Sequence, residues 1–220
     1  LPITEKIHLF QGVSKKTAEL AENWVAVAVN AKSIPESSPL VGEEWASGPW
    51  ALIYGVESMV GTLQSLDKGK NPPIGKVRTM PSGQVIADIF PYNIYQRLLL
   101  NGIRAEVWMQ DDVTADNFTE NIAKVYKSDD QSGQVSLVLG GGNIASIPPL
   151  DVLDRLFAHK SVCVLKVHPV NDYLKEIFDS IFEDFVTAGY LQIVSGGADV
   201  GNYLCQHEYI DHIHITGGAK

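Results

Sequence analysis

From residue 135 onward, apolar residues fall into short, regularly separated runs. The runs lie at residues 135–139, 161–165, 191–194 and 210–215. Continuous apolar runs of this length are typical of strands that are buried on both faces. Helical spacing of apolar positions fills the gaps between the runs, so the pattern predicts strands that alternate with helices.

Two helices are predicted between these strands. Apolar positions from Leu174 to Val186 recur at intervals of three and four, with Asn171 placed to cap the start and Gly189 to form the end. A shorter helix near 150–157 opens with two prolines, whose missing N–H groups are harmless in a first turn. We therefore predict an α/β fold, a parallel Rossmann-like sheet with flanking helices, that binds ligands at the carboxyl ends of its strands.

The first 130 residues have a more mixed pattern. It predicts helices at 17–30, 55–66 and 94–100, strands at 85–90 and 105–109, and a loop rich in Pro, Ser and Gly at 32–50. A polar, glycine-containing hinge at 129–133 separates the two patterns. We expect an amino-terminal region, residues 1–130, that packs on a cofactor-binding region, residues 131–220.

Composition and charge narrow the classes of function. The 220 residues are 45% hydrophobic and 20% charged, which is enough apolar material for a full core. The net charge of −9 disfavours broad contact with nucleic acid or anionic membranes. No apolar run approaches a membrane span, and two cysteines without metal-type spacing suit a reducing compartment. We expect a cytoplasmic protein that acts on small molecules, without nucleic-acid or membrane partners.

Glycine-rich segments follow two of the predicted strands. Residues 140–145 match the dinucleotide pattern G-x-G-x-x-[GA], yet the helix starts several residues later and the next strand ends in Lys166 instead of an acidic residue. Residues 195–201 lead into a predicted helix at 199–206, where a phosphate can approach the backbone. Each segment is also consistent with a turn that is shaped only by local packing.

Four motifs follow one another in the second half of the chain: Asn143 in a loop, Lys-Val-His-Pro at residues 166–169, the glycine turn at residues 196–201, and residues 207–218. Their order resembles the aldehyde dehydrogenase superfamily, in which a loop asparagine, a lysine motif and a glycine turn precede the motif H-P-x-V-D-x-I-x-F-T-G-S. Residues 207–218 match most positions of that last motif. The resemblance implies the family's cofactor domain and oxidation of an aldehyde, or reaction of an acyl thioester, with NAD or NADP.

The resemblance also implies a role for each matched residue. Asn143 would donate to the oxyanion that forms when a cysteine thiolate attacks the aldehyde carbonyl. Lys166 would hold the adenosine ribose or a 2′-phosphate, and His168 belongs to the same cofactor-binding motif. The other implied cofactor contacts are Gly196 and Gly201 on the adenosine side, and Thr216, Gly217 and Gly218 beside the pyrophosphate.

Some positions depart from the family pattern. Pro169 replaces a Glu that binds the ribose in many members, so the resemblance does not distinguish NAD from NADP. Gly141 and Gly142 replace Pro-Trp, and Gly218 replaces Ser. The family's nucleophilic Cys and its Glu base follow the last motif, so we expect them beyond Lys220, in a longer homo-oligomeric enzyme. The alternative is a non-catalytic nucleotide-binding or partner-binding α/β module.

Other reactive side chains have simpler interpretations. Cys163 falls inside a predicted buried strand, which indicates an inert apolar thiol. His212 and His214 share one strand face, but no carboxylate or thiol stands at a suitable spacing, so we predict no metal site. Asp111 and Asp112 lie in a polar turn, where solvated charges are expected.

Overall fold

The structure is a computed structural model that describes residues 1–91, 93–128 and 132–217. The chain divides into two compact units, one of Leu1–Val60 with Asp130–Lys220 and one of Gly61–Asp129. The first unit thus joins the start of the chain to the predicted cofactor-binding region. Within the described residues, no helix combines the length and the apolar character needed to cross a bilayer.

The elements follow one another along the chain as helices and strands with few long gaps. The α-helices are α1 (Ile3–Ala31), α2 (Leu40–Trp45), α3 (Ala51–Asp67), α4 (Ile94–Leu99), α5 (Lys124–Lys127), α6 (Ile147–Ala158), α7 (Lys175–Ile181), α8 (Glu183–Thr187) and α9 (Ala198–Cys205). The strands are β1 (Val77–Thr79), β2 (Val85–Phe90), β3 (Ala105–Trp108), β4 (Gln134–Leu139), β5 (Ser161–Lys166), β6 (Leu191–Val194) and β7 (His212–Ile215). Of these strands, β1 has no counterpart in the sequence prediction.

The first unit is built on a four-stranded parallel sheet in the order β6-β5-β4-β7. The register places Leu139 beside both Lys166 and Ile215, and Lys166 beside Val194. The carboxyl ends of the strands therefore line up along one edge of the sheet. This confirms the predicted α/β class with a parallel sheet and flanking helices.

The amphipathic helix predicted over residues 174–186 is divided in the structure. A 3-10 turn, Pro169–Leu174, precedes α7, and α8 restarts after Phe182. Both pieces keep their apolar face in the core, since Phe178 and Phe185 are buried. Gly189 ends the second piece as predicted, with a φ of 76° that favours glycine.

Asn171 is not the helix cap that the sequence predicts. It lies inside the 3-10 turn, is 1% exposed, and its Nδ2 donates to the carbonyl of Gly141 at 3.0 Å. The cap is His168 instead, whose Nδ1 accepts the N–H of Val170 at 3.2 Å, because the turn already begins at Pro169. Asn171 thus ties the chain after β5 to the glycine turn after β4.

Helix α1 completes the core of the first unit. Phe10 packs edge-on against Phe185 with ring centroids 5.7 Å apart, and Trp24 packs in the same way against Phe178 at 5.4 Å. Burying one such aromatic side chain stabilises a fold by roughly 2–3 kcal/mol. The amino-terminal helix is therefore an integral part of this unit.

The segment 32–50, predicted as a loop, is instead mostly helical. It contains α2 and a kinked turn, Ala46–Trp50, in which the backbone of Gly48 leaves helical geometry before α3 begins. A Cβ on Gly48 would lie 3.0 Å from Nε1 of Trp24, so glycine lets the backbone pass closely over the indole. The buried carboxylate of Glu44 pairs with Lys32 and holds α2 against the end of α1. These contacts override the loop-like composition.

The second unit contains a three-stranded antiparallel sheet in the order β1-β2-β3. Arg78 crosses this sheet by pairing with Asp88 and Glu106. The core beneath it is small and consists of Val85, Ala87, Val113 and Phe118. Helix α4, which connects β2 to β3, buries Gln96 and leaves its apolar side chains exposed, namely Ile94, Tyr95, Leu98 and Leu99.

Candidate functional site

The carboxyl edge of the parallel sheet gathers the loops in which the sequence predicts chemistry. Residues 140–143 follow β4, residues 167–168 follow β5, residues 195–197 follow β6 and residues 216–217 follow β7. The structure thus places Asn143, Lys166, His168 and Thr216 at the ends of three adjacent strands. Gly218 lies outside the described residues.

The glycine turn after β4 is tightly packed. A Cβ on Gly140 would lie 3.2 Å from the carbonyl oxygen of Lys166, and one on Gly142 would lie 2.8 Å from Nδ1 of His168. The N–H of Gly140 donates to that same carbonyl at 3.0 Å. Local packing therefore accounts for two of the glycines in the dinucleotide-like pattern, as the alternative interpretation of this segment expects.

Asn143 stands at the open end of this turn. Its side chain is exposed and forms no hydrogen bond with another residue in the part of the chain that the structure describes. Its amide N–H groups are therefore available to an external acceptor. This is the arrangement that a donor to a developing oxyanion needs.

Lys166 is a nearly buried cation, 7% exposed, at the last position of β5. Among residues 1–91, 93–128 and 132–217 it has neither an ion pair nor a side-chain hydrogen bond. Its ammonium is not among the buried polar atoms that lack a partner, so the stem of the side chain is buried while Nζ reaches solvent. The cation is therefore available to an anionic or hydroxylated ligand at the sheet edge.

His168 already has two local contacts. Its ring caps the 3-10 turn, as described above, and lies against the backbone of Gly142. These contacts fix the ring at the sheet edge. They occupy Nδ1 and leave Nε2 as the nitrogen that could face a ligand.

After β6, the structure requires glycine at position 196 but not at position 201. Gly196 has a φ of 141°, and a Cβ there would lie 2.5 Å from Val200, so both backbone and space demand glycine. Gly201 lies in α9, and a Cβ there would meet nothing within 4 Å. Folding therefore explains Gly196 but gives no reason for Gly201.

We expect opposite effects from alanine at these two positions. Gly196→Ala should lower the free energy of unfolding by roughly 1–3 kcal/mol, because of backbone strain and the contact with Val200. Gly201→Ala should raise it by about 0.5–1 kcal/mol, the usual gain within a helix. Urea unfolding of both variants measures this, and a loss of stability in Gly201→Ala would contradict the geometry.

Thr216 is held by two residues that the sequence analysis did not connect with it. Its hydroxyl donates to Oδ1 of Asp151 on α6 at 2.9 Å, and Nε2 of His214 lies 3.3 Å from the same oxygen. Asp151 was missed, although a carboxylate between Leu150 and Val152, in the apolar first half of the helix, was a usable signal. Asn171 was noticed but given the wrong role.

The histidines of β7 are paired with protein side chains. His214 lies beside Asp151, and His212 has its Nε2 3.4 Å from Nη1 of Arg155. Within the described residues, no group of three or more His, Cys, Asp and Glu side chains is arranged to hold a metal ion.

Cys163 is 3% exposed, in agreement with the predicted buried strand. Burial raises the pKa of its thiol from the ordinary value of 9.0 to about 12. A thiol with this pKa is almost entirely protonated at neutral pH. Cys163 is therefore unsuited to act as a nucleophile.

Comparison with known proteins identifies the fold to which this arrangement of strands and helices belongs. No family model matches the sequence, and no curated protein matches it. An aldehyde dehydrogenase from Brucella melitensis biovar abortus 2308 superposes with a TM-score of 0.51 at 12% identity, over 99% of this chain and 35% of that chain. The chain has the aldehyde dehydrogenase fold.

Two further structures share the aldehyde dehydrogenase fold of this chain. A bifunctional proline utilization A protein has a TM-score of 0.52 at 12% identity, over 97% of this chain and 17% of its own. A 3,6-anhydro-L-galactose dehydrogenase, solved in complex with NAP, has a TM-score of 0.50 at 13% identity, over 99% of this chain and 35% of its own. This chain therefore spans about a third or less of these proteins.

Proposed function

We propose that this chain supplies the cofactor-binding part of an aldehyde dehydrogenase-type oxidoreductase that uses NAD or NADP. The observation that carries the proposal is Lys166, whose stem is buried at the sheet edge and whose ammonium has no protein partner among the described residues. A shared fold alone would not be sufficient, since one fold hosts many functions. The unpaired cation and the exposed Asn143 amide are features of the site itself.

The residues at the sheet edge fit the parts of a dinucleotide. Lys166 would bind the ribose hydroxyls or a 2′-phosphate, next to the ring of His168. Gly201 and Gly196 would lie on the adenosine side, where open space at Gly201 allows close approach. Thr216, Gly217 and Gly218 would adjoin the pyrophosphate. The nicotinamide ring, when bound, accepts a hydride from the substrate.

Asn143 would act on the substrate. Its side-chain N–H would donate to the oxyanion that forms when a thiolate attacks an aldehyde carbonyl. A well-placed donor of this kind contributes roughly 3 kcal/mol to the transition state. As the family resemblance implies, the thiolate would come from a cysteine outside this sequence; Cys163 is buried and protonated, and Cys205 lies on helix α9.

We propose an aldehyde or acyl substrate, a homo-oligomer and a cytoplasmic location. The predicted cofactor-binding region, 131–220, would hold the cofactor, while residues 1–60 of the predicted amino-terminal region, 1–130, belong to the same compact unit. The exposed apolar side chains of α4 favour an oligomer, because exposed apolar patches commonly mark protein contacts.

A non-catalytic nucleotide-binding or partner-binding module is the second candidate. Pro169 favours it, since it opens the 3-10 turn where the family has a ribose-binding carboxylate and offers no polar side chain. The packing that requires Gly140 and Gly142 favours it too, because these glycines need no ligand to explain them.

Calorimetric titration of NAD and of NADP into the chain tests the first proposal. In Lys166→Met, which keeps an apolar stem and removes the charge, we expect affinity to fall roughly 10–150-fold, the effect of one charge-assisted hydrogen bond. The same variant should change the urea midpoint little, because Nζ of Lys166 is not a buried unpaired group and the apolar stem is kept.

Lys68→Met, at an exposed lysine in a turn, is the matched control and should change neither quantity. Cofactor binding that is equally tight in Lys166→Met would contradict the assigned role. Binding of neither cofactor to the parent chain would favour the non-catalytic module.

A further inference from the structure

The second unit contains a cavity of about 710 Å³ in which arginine is concentrated. The sequence has four arginines among its 17 basic residues, and three of them, Arg78, Arg97 and Arg104, line this one cavity. Arginine presents a planar fork of N–H donors that binds two oxygens of one oxyanion, whereas the lysine ammonium acts as a point charge. The lining therefore favours an oxyanion ligand over a merely positive surface.

One of the three arginines is already paired within the protein. Arg78, on β1, bonds Asp88 on β2 at 2.5 Å and Glu106 on β3 at 2.6 Å. Both carboxylates also line the cavity, and their pairing with Arg78 reduces the repulsion that they exert on an incoming anion. Three guanidinium groups against two carboxylates leave the lining positive, in a chain whose net charge is −9. The positive cavity is thus a local feature that the overall charge does not explain.

The other two arginines have no protein partner. Arg97 lies in the last turn of α4, and Arg104 directly precedes β3. Across the described ranges of the chain, no group forms an ion pair or a hydrogen bond with either guanidinium. Gly102, with a φ of 90°, forms the turn between them, and the N–H of Ile103 donates to the carbonyl of Leu100 at 3.2 Å. This turn therefore brings both cations to the same cavity.

Two unpaired guanidinium groups match a phosphate better than a carboxylate. A carboxylate has two oxygens and one charge, which a single arginine fork satisfies. A phosphate monoester has three terminal oxygens and a charge of about −1.5 to −2 at neutral pH, so it can engage both forks. The cavity volume is typical of small-molecule sites, and Phe90, Pro91 and Leu100 supply apolar walls. The cavity thus has room for an organic group attached to the phosphate.

We propose that the second unit binds a small phosphate monoester. Its phosphoryl group lies between Arg97 and Arg104, and its organic group packs against Phe90 and Leu100. The site belongs to the unit Gly61–Asp129, whereas the residues assigned to the nicotinamide cofactor belong to the other unit. Phosphate binding here is therefore independent of the proposed function.

Titration of phenyl phosphate into the chain tests this site by ¹H–¹⁵N NMR of the arginine Nε–H groups. The chain has four arginines, and the variants Arg97→Lys and Arg104→Lys assign the two signals of interest. We expect both signals to shift and saturate together, while Arg155, which pairs with Asp154 in the first unit, stays in place. Absence of saturable shifts at millimolar phenyl phosphate would overturn the proposal.

Two further probes separate the phosphate from the rest of the ligand. Phenol, which lacks the phosphate, should shift neither arginine signal. Benzoate, which engages one fork, should bind at least about tenfold more weakly than phenyl phosphate. Benzoate binding as tight as that of phenyl phosphate would overturn the assignment to a phosphate monoester.

Variants then test the role of each arginine. Arg97→Gln and Arg104→Gln should each lower the affinity for phenyl phosphate roughly 10–150-fold, the effect of losing a charge-assisted hydrogen bond. The matched control is the double variant Lys68→Met and Lys70→Met, which removes two positive charges from exposed positions of the same unit and should bind like the parent. Unchanged affinity in Arg97→Gln, or an equal loss in the control, would overturn the proposal.

Lys166→Met distinguishes this site from the proposed cofactor site. It should bind phenyl phosphate as the parent does, whether or not the chain binds NAD. A loss of phenyl phosphate binding in Lys166→Met would show that the phosphate occupies the edge of the parallel sheet instead, and the proposal would fail.

Discussion

Cys163 should react with iodoacetamide about a thousandfold more slowly than an ordinary cysteine. Burial raises its pKa from 9.0 to about 12, and each pKa unit lowers the thiolate fraction tenfold at neutral pH. Only the thiolate attacks the reagent. The rate should keep rising with pH up to about 12, where the thiolate finally forms.

Timed alkylation followed by peptide mass spectrometry measures this for each cysteine separately. Cys205, which is partly exposed, is the internal reference, and a Cys205→Ser variant isolates the signal of Cys163. In urea both cysteines should react at the same rate, because the burial is gone. In the folded chain, a rate for Cys163 within tenfold of the rate for Cys205 would show that the Cys163 thiol is accessible. Cys163 would then have to be considered as a nucleophile.

Lys32→Met should lower the free energy of unfolding by roughly 3 kcal/mol, the lower end of the range for breaking a buried ion pair. Nζ of Lys32 bonds both carboxylate oxygens of Glu44, at 2.7 and 2.9 Å, and the Glu44 side chain is only 6% exposed. Removing the cation leaves that charge buried without its partner. The lower end applies because the Lys32 side chain is 31% exposed.

Urea unfolding of a double-mutant cycle checks this result. Adding Glu44→Gln to Lys32→Met removes the stranded charge, so the double variant should recover most of the lost stability. Lys15→Met is the matched control, since Lys15 forms an exposed pair with Glu19 at 3.9 Å and should change stability by less than about 0.5 kcal/mol. A Lys32→Met variant as stable as that control would show that Glu44 is solvated in solution.

The centre of the parallel sheet could be predicted because its strands are buried there, whereas β7, predicted to be buried on both faces, has Ile213 and Ile215 exposed. Val138 and Leu165 lie side by side at the sheet centre, and both are fully buried, so their apolar runs stand out in the sequence. The short helix α6 could be predicted for a similar reason, since its prolines mark the first turn. Burial and backbone chemistry are local signals that a sequence displays directly.

The segment 32–50 shows where such signals fail. Its helical path depends on Gly48 passing over Trp24 and on Lys32 reaching Glu44. Composition alone indicated a loop, because Pro, Ser and Gly dominate it. A pattern of residue types does not reveal which distant side chain will compensate for an unfavourable local preference.

The residues of the candidate site could be predicted from the sequence, but the hydrogen bonds that join them to distant residues could not. Matched motifs placed Asn143, Lys166 and Thr216 on strand ends that the structure brings to one edge. The hydrogen bond from Thr216 to Asp151 spans 65 positions, and that from Asn171 to Gly141 spans 30. Contacts of this kind depend on tertiary geometry, which no local motif encodes.

The division of the first unit into two stretches of chain has a consequence for protein synthesis. The Lys6 ammonium donates to the carbonyl of Leu156, 150 positions later, and Phe10 packs on Phe185. While the ribosome makes the second unit, the side chains of α1 that pack on Phe178 and Phe185 lack these partners. At about 5–20 residues per second, that wait lasts many seconds, and a nascent chain with exposed aromatic residues is a substrate for chaperones.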